Sequence, residues 1–91
     1  MATCKITDKG FKTIECTRGE MAAIGSYGIC DNCCGMPHRG VYVAVLNRWF
    51  CPGCYMEWHE RAEYFPEDAR IEDKNFEFYK GLLGAEEVQD A

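Results

Sequence analysis

The sequence predicts a small α+β fold, and three observations predict it. Apolar and polar residues alternate at both ends of the stretch 3–17, the period of strands, and Val41–Leu46 is a short run apolar on both faces, which reads as a covered strand. Apolar residues recur at helical spacing after residue 54 and again after residue 74. Between and beside these blocks lie two Cys-x-x-Cys pairs, Cys30-Asp31-Asn32-Cys33 and Cys51-Pro52-Gly53-Cys54, with seventeen residues between them.

Taken in order, Thr3 to Thr17 reads as a hairpin. Cys4 and Ile6 alternate with polar residues, Asp8-Lys9-Gly10 supplies turn chemistry, and Ile14 and Cys16 resume the alternation. Gly19 to Gly25 encloses Glu-Met-Ala-Ala-Ile, enough for one helical turn or a short helix. Cys30 to Gly35 is a knuckle. Gly40 to Leu46 is a strand, Asn47-Arg48 a turn and Trp49-Phe50 the return strand, since Asn tolerates a positive φ. Val41, Val43 and Val45 share one face, and Tyr42, Ala44 and Leu46 the other. Both faces are apolar, so the sequence predicts cover on both sides.

A helix is expected from Tyr55 to Phe65, with Tyr55, Trp58, His59, Ala62 and Phe65 along one stripe, ended by Pro66. A second is expected over Asn75–Leu83, with Phe78, Tyr79, Leu82 and Leu83 as its apolar face and Gly84 as its C-cap.

The chain has 91 residues, the size of one domain. The domain is expected over residues 1–84, with 30–65 as its metal-bearing core and 85–91 as an acidic disordered tail. A chain this short buries only about 60–65% of its unfolded surface, which leaves little stability without a staple. A structural metal can supply one, because apparent zinc-binding energies in small peptides reach roughly 10–16 kcal/mol and appear largely as folding energy.

Two Cys-x-x-Cys pairs at this separation can close a tetrahedral four-thiolate site. Cys30, Cys33, Cys51 and Cys54 are therefore the expected ligands of one structural Zn²⁺. Cys51 would precede the helix, Pro52 would take its first position and Cys54 would lie in its first turn. Thiolates there face unpaired N–H groups and the positive end of the helix dipole, which favours the ligating form. Backbone N–H groups must share the site's negative charge, with Arg39 or Arg48 as possible helpers. The same four sulfurs accept iron, so the spacing specifies a donor set and not an element.

Cys30-x2-Cys33-x17-Cys51-x2-Cys54, followed by Tyr55-Met56-Glu57-Trp58-His59-Glu60-Arg61, resembles the spacing of GATA-type fingers and of treble-clef or zinc-ribbon-like zinc fingers generally. The resemblance covers residues 30–65. It implies a treble-clef-like zinc domain of knuckle, β-hairpin and α-helix, here with an added N-terminal hairpin and C-terminal helix. GATA-type fingers carry a basic segment after the helix, whereas Glu67, Asp68, Glu72 and Asp73 follow here, so their DNA binding is not carried over. The chain is also similar to small uncharacterised zinc-finger proteins of bacterial mobile elements, which brings no activity with it.

Other residues have plainer readings. Cys34 reads as a buried small residue in a position where knuckles favour Gly. Cys4 and Cys16 read as buried free thiols, against a disulfide or a second metal site with His38 or Cys34. His38 reads as an exposed loop residue and His59 as a packed one. Trp49 and Trp58 read as core.

The net charge is −5, distributed as +1 over residues 1–29, −1 over 30–65 and −5 over 66–91. A nucleic-acid binder carries a basic patch, and none is visible unless folding gathers Arg39, Arg48 and Arg61. A catalytic zinc needs an open position that four cysteines close, and no His-x-Glu precedes Cys51 as a deaminase would require. A redox dithiol at Cys51 and Cys54 lacks its usual βαβ setting. Residues 1–29 hold no signal-peptide apolar run, and Val41–Leu46 is too short to span a bilayer. The expectation is a cytoplasmic, non-enzymatic zinc protein whose partner is another protein, with nucleic acid as the alternative and no membrane.

Overall fold

The alternation in the first seventeen residues folds as an antiparallel hairpin of β1 (Thr3–Ile6) and β2 (Lys12–Thr17), with Cys4 opposite Ile14. The structure is a computed structural model and describes residues 2–26 and 28–87. The turn closes through Thr7, whose N–H donates to Phe11 O and whose carbonyl accepts from Gly10 N–H. Gly10 has φ +93, which a side chain would resist. A short helix, α1 (Arg18–Ala23), follows directly. Thr17 and Glu20 cap it reciprocally: each side chain accepts from the other's backbone N–H, at 3.1 and 2.9 Å.

β3 (Arg39–Val43) and β4 (Arg48–Phe50) extend the sheet, and the strand order is β4-β3-β2-β1-β5. All neighbours are antiparallel except β5 (Glu86–Glu87), which runs parallel to β1. The second hairpin differs from expectation. β3 stops at Val43 and Arg48 already pairs with it, so the connection is the four residues 44–47, not Asn47-Arg48 alone. Leu46 N–H reaches Val43 O and Asn47 N–H reaches Ala44 O, closing overlapping turns. Asn47 takes φ +55 and accepts from the Tyr42 hydroxyl at 2.6 Å.

The sheet is covered on both sides. On one face Cys4, Ile14, Cys16, Tyr42 and Trp49 pack under Met21 of α1 and under Phe76, Tyr79 and Leu83 of α3 (Ala69–Leu83). On the other, Val41, Val43 and Phe50 pack against Cys30 and against Tyr55 and Trp58 of α2 (Pro52–Arg61). Phe11 joins the first hairpin to this second layer, with its ring 4.8 Å from Trp58. Gly40 makes the crossing at Trp49 possible: a Cβ there would meet the indole at 2.5 Å.

Both long helices depart from their expected limits. α2 ends at Arg61 and leaves Phe65 outside, extended and 48% exposed. Lys9 explains the stop, because its ammonium donates to the carbonyls of His59, Glu60 and Ala62, where the helix runs out of its own donors. Pro66 then opens a 3-10 turn, Pro66–Asp68. α3 starts six residues earlier than Asn75, because Glu72 turns inward and accepts from Lys12 N–H at 3.0 Å. Its buried apolar residue is Phe76, whereas Phe78 and Leu82 of the expected face are 61% and 48% exposed. Gly84 caps it in the left-handed conformation, φ +61.

The segment expected to be a disordered tail begins with ordered chain. Ala85 N–H bonds to Lys80 O, Glu86 N–H bonds to Ala2 O, and Glu86–Glu87 form β5; residues 88–91 lie outside the described residues. Among the described residues no helix is long and apolar enough to cross a membrane.

Candidate metal centre

The knuckle is built by its own backbone. Cys30 N–H donates to Gly35 O at 2.8 Å, and Cys34 N–H donates to Cys30 O at 3.0 Å, so the chain folds back around the first two sulfurs. Cys34 has φ +62, which marks it as the position where glycine would be at ease. It is exposed, however, not buried as its apolar character suggested. The second pair sits at a helix start: Cys51 is the N-cap of α2, Pro52 its first residue, and Tyr55 N–H donates to Cys51 O at 2.9 Å.

Asp31 ties the two halves together. Its N–H donates to Trp49 O at 2.9 Å, and its carboxylate accepts from Trp49 N–H at 2.8 Å. β4 therefore carries Cys51 back beside the knuckle. The sulfurs of Cys30, Cys33, Cys51 and Cys54 all lie within 4.8 Å of one another, and those of Cys33 and Cys51 are 3.8 Å apart. A tetrahedron with metal–sulfur bonds of about 2.3 Å has sulfurs about 3.8 Å apart, so the spacing fits one ion. A disulfide needs about 2.05 Å, and all four are free thiols.

The electrostatics favour a cation here. Burial alone would raise the Cys30 thiol, yet the N–H groups of Cys33, Cys51 and Asn32 outweigh it and hold the thiol down at about 6. Asn32 also donates its side-chain amide to Cys54 Sγ at 3.3 Å. That contact lowers the Cys54 thiol, but the neighbouring thiols, Cys51 first, and burial together push it up to about 12. One thiolate is thus well supported, while further negative charge in the same space is resisted. A divalent ion among the sulfurs removes that resistance. Backbone N–H groups and Asn32 do the charge sharing; neither Arg39 nor Arg48 hydrogen-bonds a sulfur.

The remaining candidates lie apart. Cys4 and Cys16 are buried in the other face of the sheet, where Cys4 sits opposite Ile14 and Cys16 opposite Gly40. Burial pushes the Cys16 thiol up to about 11, although the Trp49 indole lowers it somewhat. That indole N–H is buried and makes no well-formed hydrogen bond. His38 is exposed and accepts at its carbonyl from Arg18 N–H. His59 packs over the first hairpin, with Nε2 3.3 Å from Asp8 Oδ1 and its ring beside Phe11 and Tyr55. Among the described residues no second group of metal-ligating side chains comes together.

Asp31, Asn32 and the Trp49 backbone were not among the residues the sequence marked. The only sign was that both residues inside the first pair are short and polar, types that bond to nearby backbone.

No protein-family model, curated protein or solved structure matches this chain.

Proposed function

We propose that this chain is a zinc-stabilised, non-catalytic interaction module of the treble-clef kind, with Cys30, Cys33, Cys51 and Cys54 as the ligands of one structural Zn²⁺ and another protein as its partner. One observation carries the reading: four sulfurs from a knuckle and a helix start, with a hairpin between them, converge to within 4.8 Å. Four thiolates would complete a tetrahedral shell, leaving no position for a water or a substrate, which is the hallmark of a structural site. Zinc suits it because all four donors are thiolates and the geometry is tetrahedral. Such a site belongs in a reducing compartment.

The redox reading is weaker because Cys51 and Cys54 face Cys30 and Cys33 and do not stand as an isolated dithiol. Nucleic acid is a poor fit. Arg39 and Arg48 sit toward opposite ends of β3, about 13 Å apart along the strand, and the chain carries −5 overall.

Native mass spectrometry together with elemental analysis tests the proposal. One zinc per chain is the expected result. One iron would replace zinc in the reading, and no stoichiometric metal would end it. A gel-shift titration that revealed tight, salt-dependent nucleic-acid binding would displace the protein-partner reading.

A further inference from the structure

The four sulfurs of the centre are not equally covered. Cys30 is fully buried among Val41, Val43 and Phe50. Cys51 and Cys54 are half-buried and pack against the same cluster, and the Asn32 amide lies 3.3 Å from Cys54 Sγ. Of the four, Cys33 alone is exposed and takes no part in that cluster. Gly35 helps to leave it bare, since a Cβ there would stand 3.3 Å from Cys33 Sγ. Cys51 Sγ is 3.8 Å from the same sulfur. An accessible sulfur thus stands beside a sheltered one, at the join between the knuckle and the start of α2.

We infer that Cys33 is an oxidation site for hydroperoxides and Cys51 its resolving partner, so that oxidant opens the metal centre; the inference rests on the zinc reading above. A sulfur that ligates a cation is held as its thiolate, the nucleophilic form. Susceptibility to peroxide follows thiolate character and exposure together, and among the four ligands only Cys33 combines them. Cys34 is exposed as well, but it lies outside the cluster and no ion would hold it as a thiolate.

With hydrogen peroxide the steps balance as follows. The Cys33 thiolate attacks one peroxide oxygen; an S–O bond forms, the O–O bond breaks, and hydroxide leaves. The Cys51 thiolate then attacks Cys33 Sγ; an S–S bond forms, the S–O bond breaks, and a second hydroxide leaves. Both hydroxides take a proton from solvent and become water. The two sulfurs lose two electrons and the peroxide gains them. The sulfurs must close from 3.8 Å to about 2.05 Å, a shift that falls mainly to the exposed Cys33 side chain. Two of the four donors are then gone, and Cys30 with Cys54 cannot complete a tetrahedral shell. Exposed disulfides are the readily reduced ones, so a thiol reductant should reverse the change.

The test treats the zinc-loaded chain with hydrogen peroxide. Released metal is read with a chromogenic chelator, and disulfides are mapped by mass spectrometry of alkylated, unreduced peptides. Zinc should leave in step with the loss of two thiols per chain, the linkage should be Cys33–Cys51, and dithiothreitol with added zinc should restore the site. Cys33→His keeps a fourth zinc donor but removes the exposed sulfur, and it should slow release several-fold. Cys54→His keeps both reacting sulfurs and should release zinc about as fast as the parent. Equal rates in the two variants, or a first linkage through Cys34 or within either Cys-x-x-Cys pair, would overturn the inference. Should either variant fail to load zinc, the linkage formed in the parent chain decides. A loaded parent that keeps its zinc as thiols are lost would end this inference alone. A parent with no zinc before oxidant is added would end the zinc reading and this inference with it.

Discussion

Asp31 and Trp49 clamp each other by two hydrogen bonds: Asp31 N–H to Trp49 O at 2.9 Å and Trp49 N–H to Asp31 Oδ2 at 2.8 Å. Asp31 follows Cys30 directly and Trp49 stands two residues before Cys51, so this contact sets the distance between the two ligand pairs. It also covers the outer edge of β4, which would otherwise present unpaired backbone groups.

Asp31→Ala should therefore do two things. It leaves the Trp49 N–H without its partner, at about 1–3 kcal/mol of stability. It also loosens the approach of the two pairs, with metal affinity expected to fall about 10–100-fold. Asp31→Asn keeps an acceptor oxygen and should lose less of both. Urea denaturation and competition with a chromogenic chelator measure the two effects.

Cys34→Gly should stabilise the protein. Cys34 holds φ +62, where a residue with a Cβ is disfavoured by roughly 1–2 kcal/mol. The gain should be about 1 kcal/mol, with the metal stoichiometry unchanged because Cys34 lies outside the cluster of four. Cys34→Ala keeps the strain and should be nearly neutral. Loss of metal in either variant would make Cys34 a ligand.

Gly40→Ala should be strongly destabilising for so small a change. The added methyl would lie 2.5 Å from two ring atoms of Trp49 and 2.6 Å from Phe50 O. The carbonyl belongs to the paired strand and cannot move aside freely. The expected loss is about 1–3 kcal/mol, read from the urea midpoint.

Glu72 predicts a pH dependence. The residue is 1% exposed, and burial raises its carboxyl above the usual 4.5, only partly offset by Lys12 N–H and the Lys12 charge. The folded state thus holds this proton more tightly than the unfolded state. Its contribution is fully present below about 4.5 and is lost as pH rises through the higher folded value. Glu72→Gln still offers Lys12 N–H an acceptor and removes that decline. The variant should match or exceed the parent in stability at pH 7, and the two should converge toward pH 4. Urea midpoints across that range measure it, and a parent more stable than the variant at pH 7 would contradict the sign.

The donor set and the strand pattern were legible in the sequence because both are local. Cys-x-x-Cys spacing is a property of a few residues, and the apolar character of both faces of 41–46 correctly announced a sheet covered on both sides. What escaped was set by residues distant in the chain. α2 stops where Lys9, some fifty residues upstream, caps its carbonyls, so the apolar stripe carried the expected helix four residues too far. α3 starts early because an acidic residue, Glu72, turns inward to a backbone donor at Lys12, and a charged residue does not announce burial. The turn at 44–47 depended on Asn47 taking the left-handed conformation alone, without Arg48. Cys34 shows the division within one residue: its place in the knuckle pointed to a glycine-like backbone, but its apolar character misdirected the expectation about burial.

Under the proposed reading, one ion on Cys30, Cys33, Cys51 and Cys54 holds the knuckle, β4 and the start of α2 in one shape. A ¹H–¹⁵N NMR spectrum of the zinc-loaded chain, followed through an EDTA titration, tests it most directly. Amides from residues 30–61 should lose their dispersion together as a single equivalent of metal leaves. A stripped chain whose amides in that segment keep their positions would contradict it.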